Sequence, residues 1–213
     1  MCEKYNLPRL IFVTNMDDDH ASYRELVVKM ETRFGRKIAP FQLPIRENEK
    51  FVGFVNVVKM AGRRFTKLSD YEECEIPDYV QKNLTIARDA LIEAVAETNE
   101  EYMERYFLGE EFTQEEISTA LREHVIEGDI VPVMMGSGIN CQGFKVLLQA
   151  IDKYFPSPDH FECIGVDVST GERFTAKYND DVSLSARVFK TIVDPFIGKY
   201  SLMKILSLIH ISE

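Results

Sequence analysis

The chain has 213 residues, 45% of them apolar, enough to build a substantial core in one large domain or one and a fraction. Thirty-five acidic residues against 25 basic ones give a formal charge of -10, which argues against holding a phosphate backbone by bulk attraction, though not against contact through a local patch. No apolar run approaches the roughly 20 residues that cross a bilayer, and residues 1–10 lack the core of a secretory signal, so no membrane partner is expected and a cytoplasmic location is. The four cysteines, Cys2, Cys74, Cys141 and Cys163, form no Cys-x-x-Cys pair and are expected as reduced thiols.

In chain order, "RLIFVTNMD" starts apolar and ends polar, as a buried parallel strand does when its C-terminal end opens into a loop. Residues 21–34 predict a helix with Tyr23, Leu26, Val27, Met30 and Phe34 on one face. "IAPFQLPI" supplies another strand start, with Pro40 and Pro44 limiting its pairing, and residues 50–75 predict a small antiparallel patch. Apolar positions then recur at helical spacing through Ile86, Ala90, Leu91, Ala94 and Val95 to Tyr102 and Tyr106, as one long helix or one broken near Thr98 and Asn99. Thr113 predicts an N-cap completed by Glu116, followed by a buried stripe of Ile117, Ala120, Leu121 and Val125 and a stop at Gly128. "DIVPVMMGSG" reads as strand and loop, and "FKVLLQAIDKYF" as an amphipathic helix ended by "PSP". Beyond Pro158 short β-like runs without helical period read as the opening of a β-barrel or sandwich.

Two strand-to-loop junctions concentrate the polar residues: "TNMD" at residues 14–17 and "GSG" at residues 136–138. If their strands are neighbours in one parallel sheet, both loops emerge on the ligand-binding side. A carboxylate there can accept two hydrogen bonds from guanine's ring N–H and exocyclic amine, and the backbone of Ser137 and Gly138 can donate to the base carbonyl. The competing reading makes Asp17 or Asp18 the cap of the helix starting near Ala21. A metal at Asp17, Asp18 and Asp19 is the weakest alternative, since no calcium-loop spacing is present. Ser137 lacks the Gly-x-Ser-x-Gly setting of a nucleophile, the four histidines show no close ligand spacing, and "GRRF" reads as an exposed turn before an RNA contact.

These blocks, in this order, resemble the elongation factor G family of translational GTPases. "TNMD" stands where that family has Asn-Lys-x-Asp, "GSG" where it has Gly-Ser-Ala, and residues between them are similar to its inserted subdomain. "SARVFKTIVDPFIGKYSLMKI" is similar to the start of its second domain, a β-barrel. The resemblance implies an α/β fold: an incomplete P-loop-GTPase-like parallel sheet over residues 1–158, with an inserted α+β subdomain at about residues 40–127, then a barrel start at residues 159–205. Residues 206–213 do not continue the resemblance and read as a non-native tail.

Carried over by position, Asp17 takes the base-reading role, Ser137 and Gly138 the backbone-contacting one, and Thr14 and Asn15 replace the family's asparagine and lysine. Asn15 lacks the aliphatic stem that lysine lays across a base, so weaker or less selective guanine binding is implied. The resemblance implies GTP/GDP as ligand, with Mg only in the intact protein, and the ribosome and its stalk protein as partners of a monomer, the stalk meeting acidic helices of residues 93–127. The phosphate loop Gly-x-x-x-x-Gly-Lys-Ser/Thr and an Asp-x-x-Gly segment do not occur in these 213 residues, so the chain is expected to be an internal fragment without hydrolytic activity of its own, prone to expose a strand edge. Ribosome protection of the tetracycline-resistance type, or a noncatalytic ribosome-interaction module, are the alternatives.

Overall fold

The computed structural model describes all residues except 1, 6, 36, 68, 158–159, 161–162, 177–184 and 208–213. It divides into two units, residues 1–155 and 156–213. The first is organised around β7 (Val131–Met135), every residue of which is buried. β7 pairs in parallel with β1 (Ile11–Val13) on one edge and with β2 (Ile38–Pro40) on the other. A strand covered on both faces has no need of polar alternation, which is why "VPVMM" is apolar throughout.

Successive side chains of β7 serve opposite faces. Val131, Val133 and Met135 pack with Tyr23, Val27 and Met30 of α1 (Tyr23–Phe34). Met134 joins a second core with Val146, Ala150 and Tyr154 of α5 (Phe144–Tyr154). The buried face of α1 is narrower than the sequence pattern: Leu26 is 38% and Phe34 57% exposed. Three strands of three to five residues give this helix a footprint only one stripe wide.

Between β2 and β7 the chain builds an antiparallel sheet of β3 (Gln42–Glu47), β4 (Lys50–Asn56), β5 (Ala61–Phe65) and β6 (Tyr71–Cys74), in that spatial order. Phe41 joins it to the parallel sheet: its N–H donates to Val133 (3.0 Å) and its carbonyl accepts from Val57 (3.0 Å). Three helices follow, α2 (Asp78–Ala96), α3 (Glu100–Leu108) and α4 (Gln114–Glu127). The expected break falls at Thr98 and Asn99, where the Asn99 side chain accepts from the Tyr102 amide and starts α3. The buried stripe of α2 is Val80, Leu84, Leu91 and Val95, whereas Ile86 is 60% exposed. Leu91 and Val95 are buried as expected, and Leu84 rather than Ile86 continues their stripe.

In α4 both halves of the capping box form, and Ile117, Ala120, Leu121 and Val125 are buried. Gly128 closes the helix in the left-handed region at φ 82°. In the second unit, β8 (Cys163–Val166) pairs with β9 (Arg173–Ala176), and β10 (Ser185–Asp194) with β11 (Gly198–Ser207), both antiparallel. No closed barrel is formed among the described residues. Of the residues expected as a non-native tail, 206 and 207 fall in β11 and the rest lie outside those described. No helix among the described residues is long and apolar enough to cross a membrane.

Glu116 does more than close the cap. Arg105 donates to both of its carboxylate oxygens (2.7 and 3.3 Å), and together with the Thr113 amide holds the carboxyl down at about 2, from an ordinary value of 4.5. A depressed carboxyl contributes stability above its unfolded value and loses it as pH falls through the folded one. The thermal midpoint should therefore drop between about pH 5 and pH 2. Glu116→Gln, which keeps an acceptor for Thr113, should flatten part of that drop in a series of melts across this range; an unaltered acid limb would disprove the contribution.

Candidate functional site

Val13 pairs with Met135, so β1 and β7 end level with each other and release their loops side by side. One residue ties the two loops together. The Gly136 N–H donates to the Val13 carbonyl (2.9 Å), and its own carbonyl accepts from the Met16 amide (3.2 Å). A side chain has no room there, because a Cβ on Gly136 would collide with the Gln142 carbonyl oxygen and sit 2.6 Å from the Phe12 ring.

In the first loop Thr14 and Asn15 are exposed, and Asn15 adopts φ 58°, a left-handed turn that asparagine tolerates better than most residues. The turn sends Met16, 1% exposed, into the core beneath α1. Asp17 follows half-buried, and its Oδ1 is buried without a hydrogen-bond partner. Asp18 shapes the next turn, its carboxylate accepting from the His20 amide (2.8 Å) and its carbonyl from Ala21 (3.1 Å). Neither Asp17 nor Asp18 caps α1. That role belongs to Ser22, whose hydroxyl accepts from Glu25, because the helix begins at Tyr23 and the turn made by Asp18 is already complete.

The second loop is held by its own backbone. Ser137 is fully buried; its amide donates to the Gln142 carbonyl (3.1 Å), its carbonyl accepts from Gln142 (3.0 Å), and its hydroxyl accepts from Asn140 (3.2 Å). The Ser137 amide is therefore hydrogen-bonded within the loop. Gly138 is exposed, with open space around it, and its amide has no acceptor among the described residues.

Two residues of β3 that sequence inspection did not single out brace this arrangement. Arg46 reaches the carbonyls of Met16 (2.9 Å), Ala21 (3.2 Å) and Asp18 (3.4 Å). Gln42, 1% exposed, accepts from the Met135 amide (2.9 Å) at the end of β7. The advance signal was an arginine and a glutamine flanking the apolar run of residues 43–45.

A cavity of about 350 Å³ opens beside the first loop, lined by Thr14, Asn15, His20 and Lys29 among others; Asp17, Ser137 and Gly138 do not line it. A larger groove of about 460 Å³ between α1 and α2 is lined by residues of neither loop, and its walls are mostly apolar. Volume alone would favour the groove, but recognition of a polar base edge requires convergent donors and acceptors, and these lie at the loops.

Residues 1–157 match the family described as the elongation factor Tu GTP binding domain. The chain belongs to that family. The crystal structure of ttk003000868 from Thermus thermophilus is similar to it, with a TM-score of 0.75 and 29% sequence identity. The match covers 96% of this chain and 28% of that one, so the chain spans little more than a quarter of the length of that protein. The α/β architecture is thus that of a GTPase domain homologous to translational GTPases, and the "TNMD" and "GSG" loops occupy strand ends in its parallel sheet.

In this GTPase-family segment Gly136 is a position with no room for a side chain, because a Cβ there would overlap the Gln142 carbonyl oxygen. Gly136→Ala should cost about 1–3 kcal/mol, the usual range for an extra group forced into packed surroundings. Denaturant unfolding of the altered chain would measure it, and unchanged stability would mean that the two loops are not locked as described.

Proposed function

We propose that this chain supplies the guanine-reading loops of a GTP-binding translation factor similar to elongation factor G, whose complete form couples GTP binding and hydrolysis to translocation on the ribosome. The observation that carries the reading is Asp17. Its Oδ1 is buried and has no donor, and an acceptor removed from water without a partner is costly. Guanine's ring N–H and exocyclic amine would supply two donors to that carboxylate. The Gly138 amide, tied by one residue to the Gly136 hinge between the loops, is the donor left for the base carbonyl.

Thr14 and Asn15 would weaken base binding, since neither carries a long apolar stem to cover the ring. GTP or GDP is the ligand in this reading, with Mg required only where the phosphate-binding residues are present. The chain by itself would not hydrolyse GTP. Its carboxylate-rich helical surface over residues 93–127 is the candidate for contact with the ribosomal stalk, in a cytoplasmic protein that works as a monomer. The departures at Thr14 and Asn15 favour a second reading, a noncatalytic ribosome-interaction module that has lost its nucleotide.

Titration of the complete protein with fluorescent GDP and XDP separates these readings. Saturable GDP binding is expected. Asp17→Asn should weaken GDP about tenfold or more and improve XDP, because an acceptor for guanine's donors becomes a donor itself. Equal affinities before and after the substitution would remove the role from Asp17, and no saturable GDP binding in the unaltered protein would leave the noncatalytic module.

A further inference from the structure

The C-terminal end of α4 presents a second group of polar side chains, unrelated to the two loops. His124 lies one turn before the helix end, with its side chain 13% exposed. Its Nε2 is 2.9 Å from the Ala94 carbonyl at the end of α2. A carbonyl can only accept, so Nε2 carries the proton and the Nδ1 of a neutral ring is a lone pair. That Nδ1 is buried and has no hydrogen-bond partner. The group across from it, at 3.8 Å, is the Oδ2 of Asp129, another acceptor.

A buried lone pair facing the carboxylate of Asp129, which is 57% exposed, is an arrangement that a positive species between them would relieve. Glu127 adds a third donor atom: atoms of His124, Glu127 and Asp129 able to bind a cation all lie within 4.8 Å of one another. The placement follows from how the helix stops. Gly128 turns left-handed, and the His124 carbonyl gathers the amides of Gly128, Asp129 (2.9 Å) and Ile130 (3.1 Å). Three N–H groups on one oxygen fold residue 129 back beside the ring.

We infer that His124, Glu127 and Asp129 form a divalent transition-metal site of the Zn²⁺ class. One imidazole nitrogen with two carboxylates suits Zn²⁺, whereas Ca²⁺ and Mg²⁺ call for oxygen ligands. The ring already has the support that metal-bound histidines use, a carbonyl accepting the proton on the other nitrogen. The helix end favours a cation as well, because its final carbonyls carry the negative end of the dipole. Arg9 donates to the Gly128 carbonyl (3.0 Å) and is paired with Glu3, so it does not occupy the two carboxylates. A bound ion would hold the α4 terminus in place against α2 through His124.

The test is calorimetric titration of the full chain with ZnCl₂ after removal of metals by a chelator, followed by ¹⁵N spectra of the His124 ring. One Zn²⁺ per chain is expected, with the Nδ1 resonance shifting on binding. Asp129→Asn and Glu127→Gln change exposed side chains and leave the backbone hydrogen bonds of the turn in place. Each should weaken Zn²⁺ by on the order of tenfold or more, the least that loss of an outer partner costs at such sites, while leaving the melt in chelator unchanged. Absence of binding overturns the inference, as does binding of equal strength in both variants, which would assign the ion to thiols such as Cys74. A protonated Nδ1 under excess Zn²⁺ also overturns it, leaving an ordinary His124–Asp129 ion pair.

Discussion

Parallel pairing of β1 with β7 brings together two loops from opposite ends of the first unit, and the rest of the site depends on it. Closing so long a stretch of chain costs conformational entropy that grows only slowly with its length. The compensation is burial: Val133 and Met135 are fully buried and Met134 nearly so, and each large apolar side chain removed from water contributes about 1.5–3 kcal/mol. The core therefore fixes where the strands end. The two hydrogen bonds of Gly136 then need only set how the loops leave them, a lesser energetic task that excludes every side chain larger than hydrogen.

The antiparallel sheet is part of this support. β3 sends Gln42 to the amide of Met135 under the second loop and Arg46 to three carbonyls of the first. An arginine used this way gives the loop a rigid fork of donors where a lysine would offer a point charge, so the identity of residue 46 matters beyond its sign. Both loops are thus braced from one strand, and that strand is joined to the parallel sheet through Phe41. A shift of β3 would be transmitted to both loops together.

What could be read from the sequence was what local chemistry decides. Thr113 and Glu116 cap α4, Asn99 starts α3, and the apolar run of β7 is buried, because each depends on residues within a turn or on a strand's own composition. The juxtaposition of the loops was conditional on their strands being neighbours in one parallel sheet, and β1 and β7 do pair in parallel. Misread features depended on partners remote in sequence or on which of two local options prevailed. α2 buries Leu91 and Val95 as expected but continues the stripe through Leu84 and Val80 rather than Ile86, because of what it packs against. Ser22 takes the cap of α1 from the aspartates because Asp18 finds nearer donors in His20. The Ser137 amide is spent on Gln142 through a reversal of the loop that no residue between them announces, and Arg46 acquires its role only when β3 passes the first loop.

Buried polar atoms without partners are uncommon in folded proteins, and those of this chain differ in what would satisfy them. Tyr23 and the Nε2 of Gln42 are neutral donors, and burial together with Glu31 pushes the Tyr23 phenol up so that it keeps its proton. A water molecule suffices for such groups at small cost. The Oδ1 of Asp17, the Nδ1 of His124 and the Oε1 of Gln142 are acceptors, and the first two, a carboxylate oxygen and a ring nitrogen facing the Asp129 carboxylate, gain most from a charged or doubly donating partner. Their places differ accordingly. Asp17 follows the end of one of two parallel strands whose loops are tied through Gly136, which suits the proposed flat ligand with a donor edge. His124 lies at a helix terminus among carboxylates, which suits a point charge. The same demand, that a buried acceptor gain a donor or cation, is the common ground of the two proposals, a base at one position and an ion at the other.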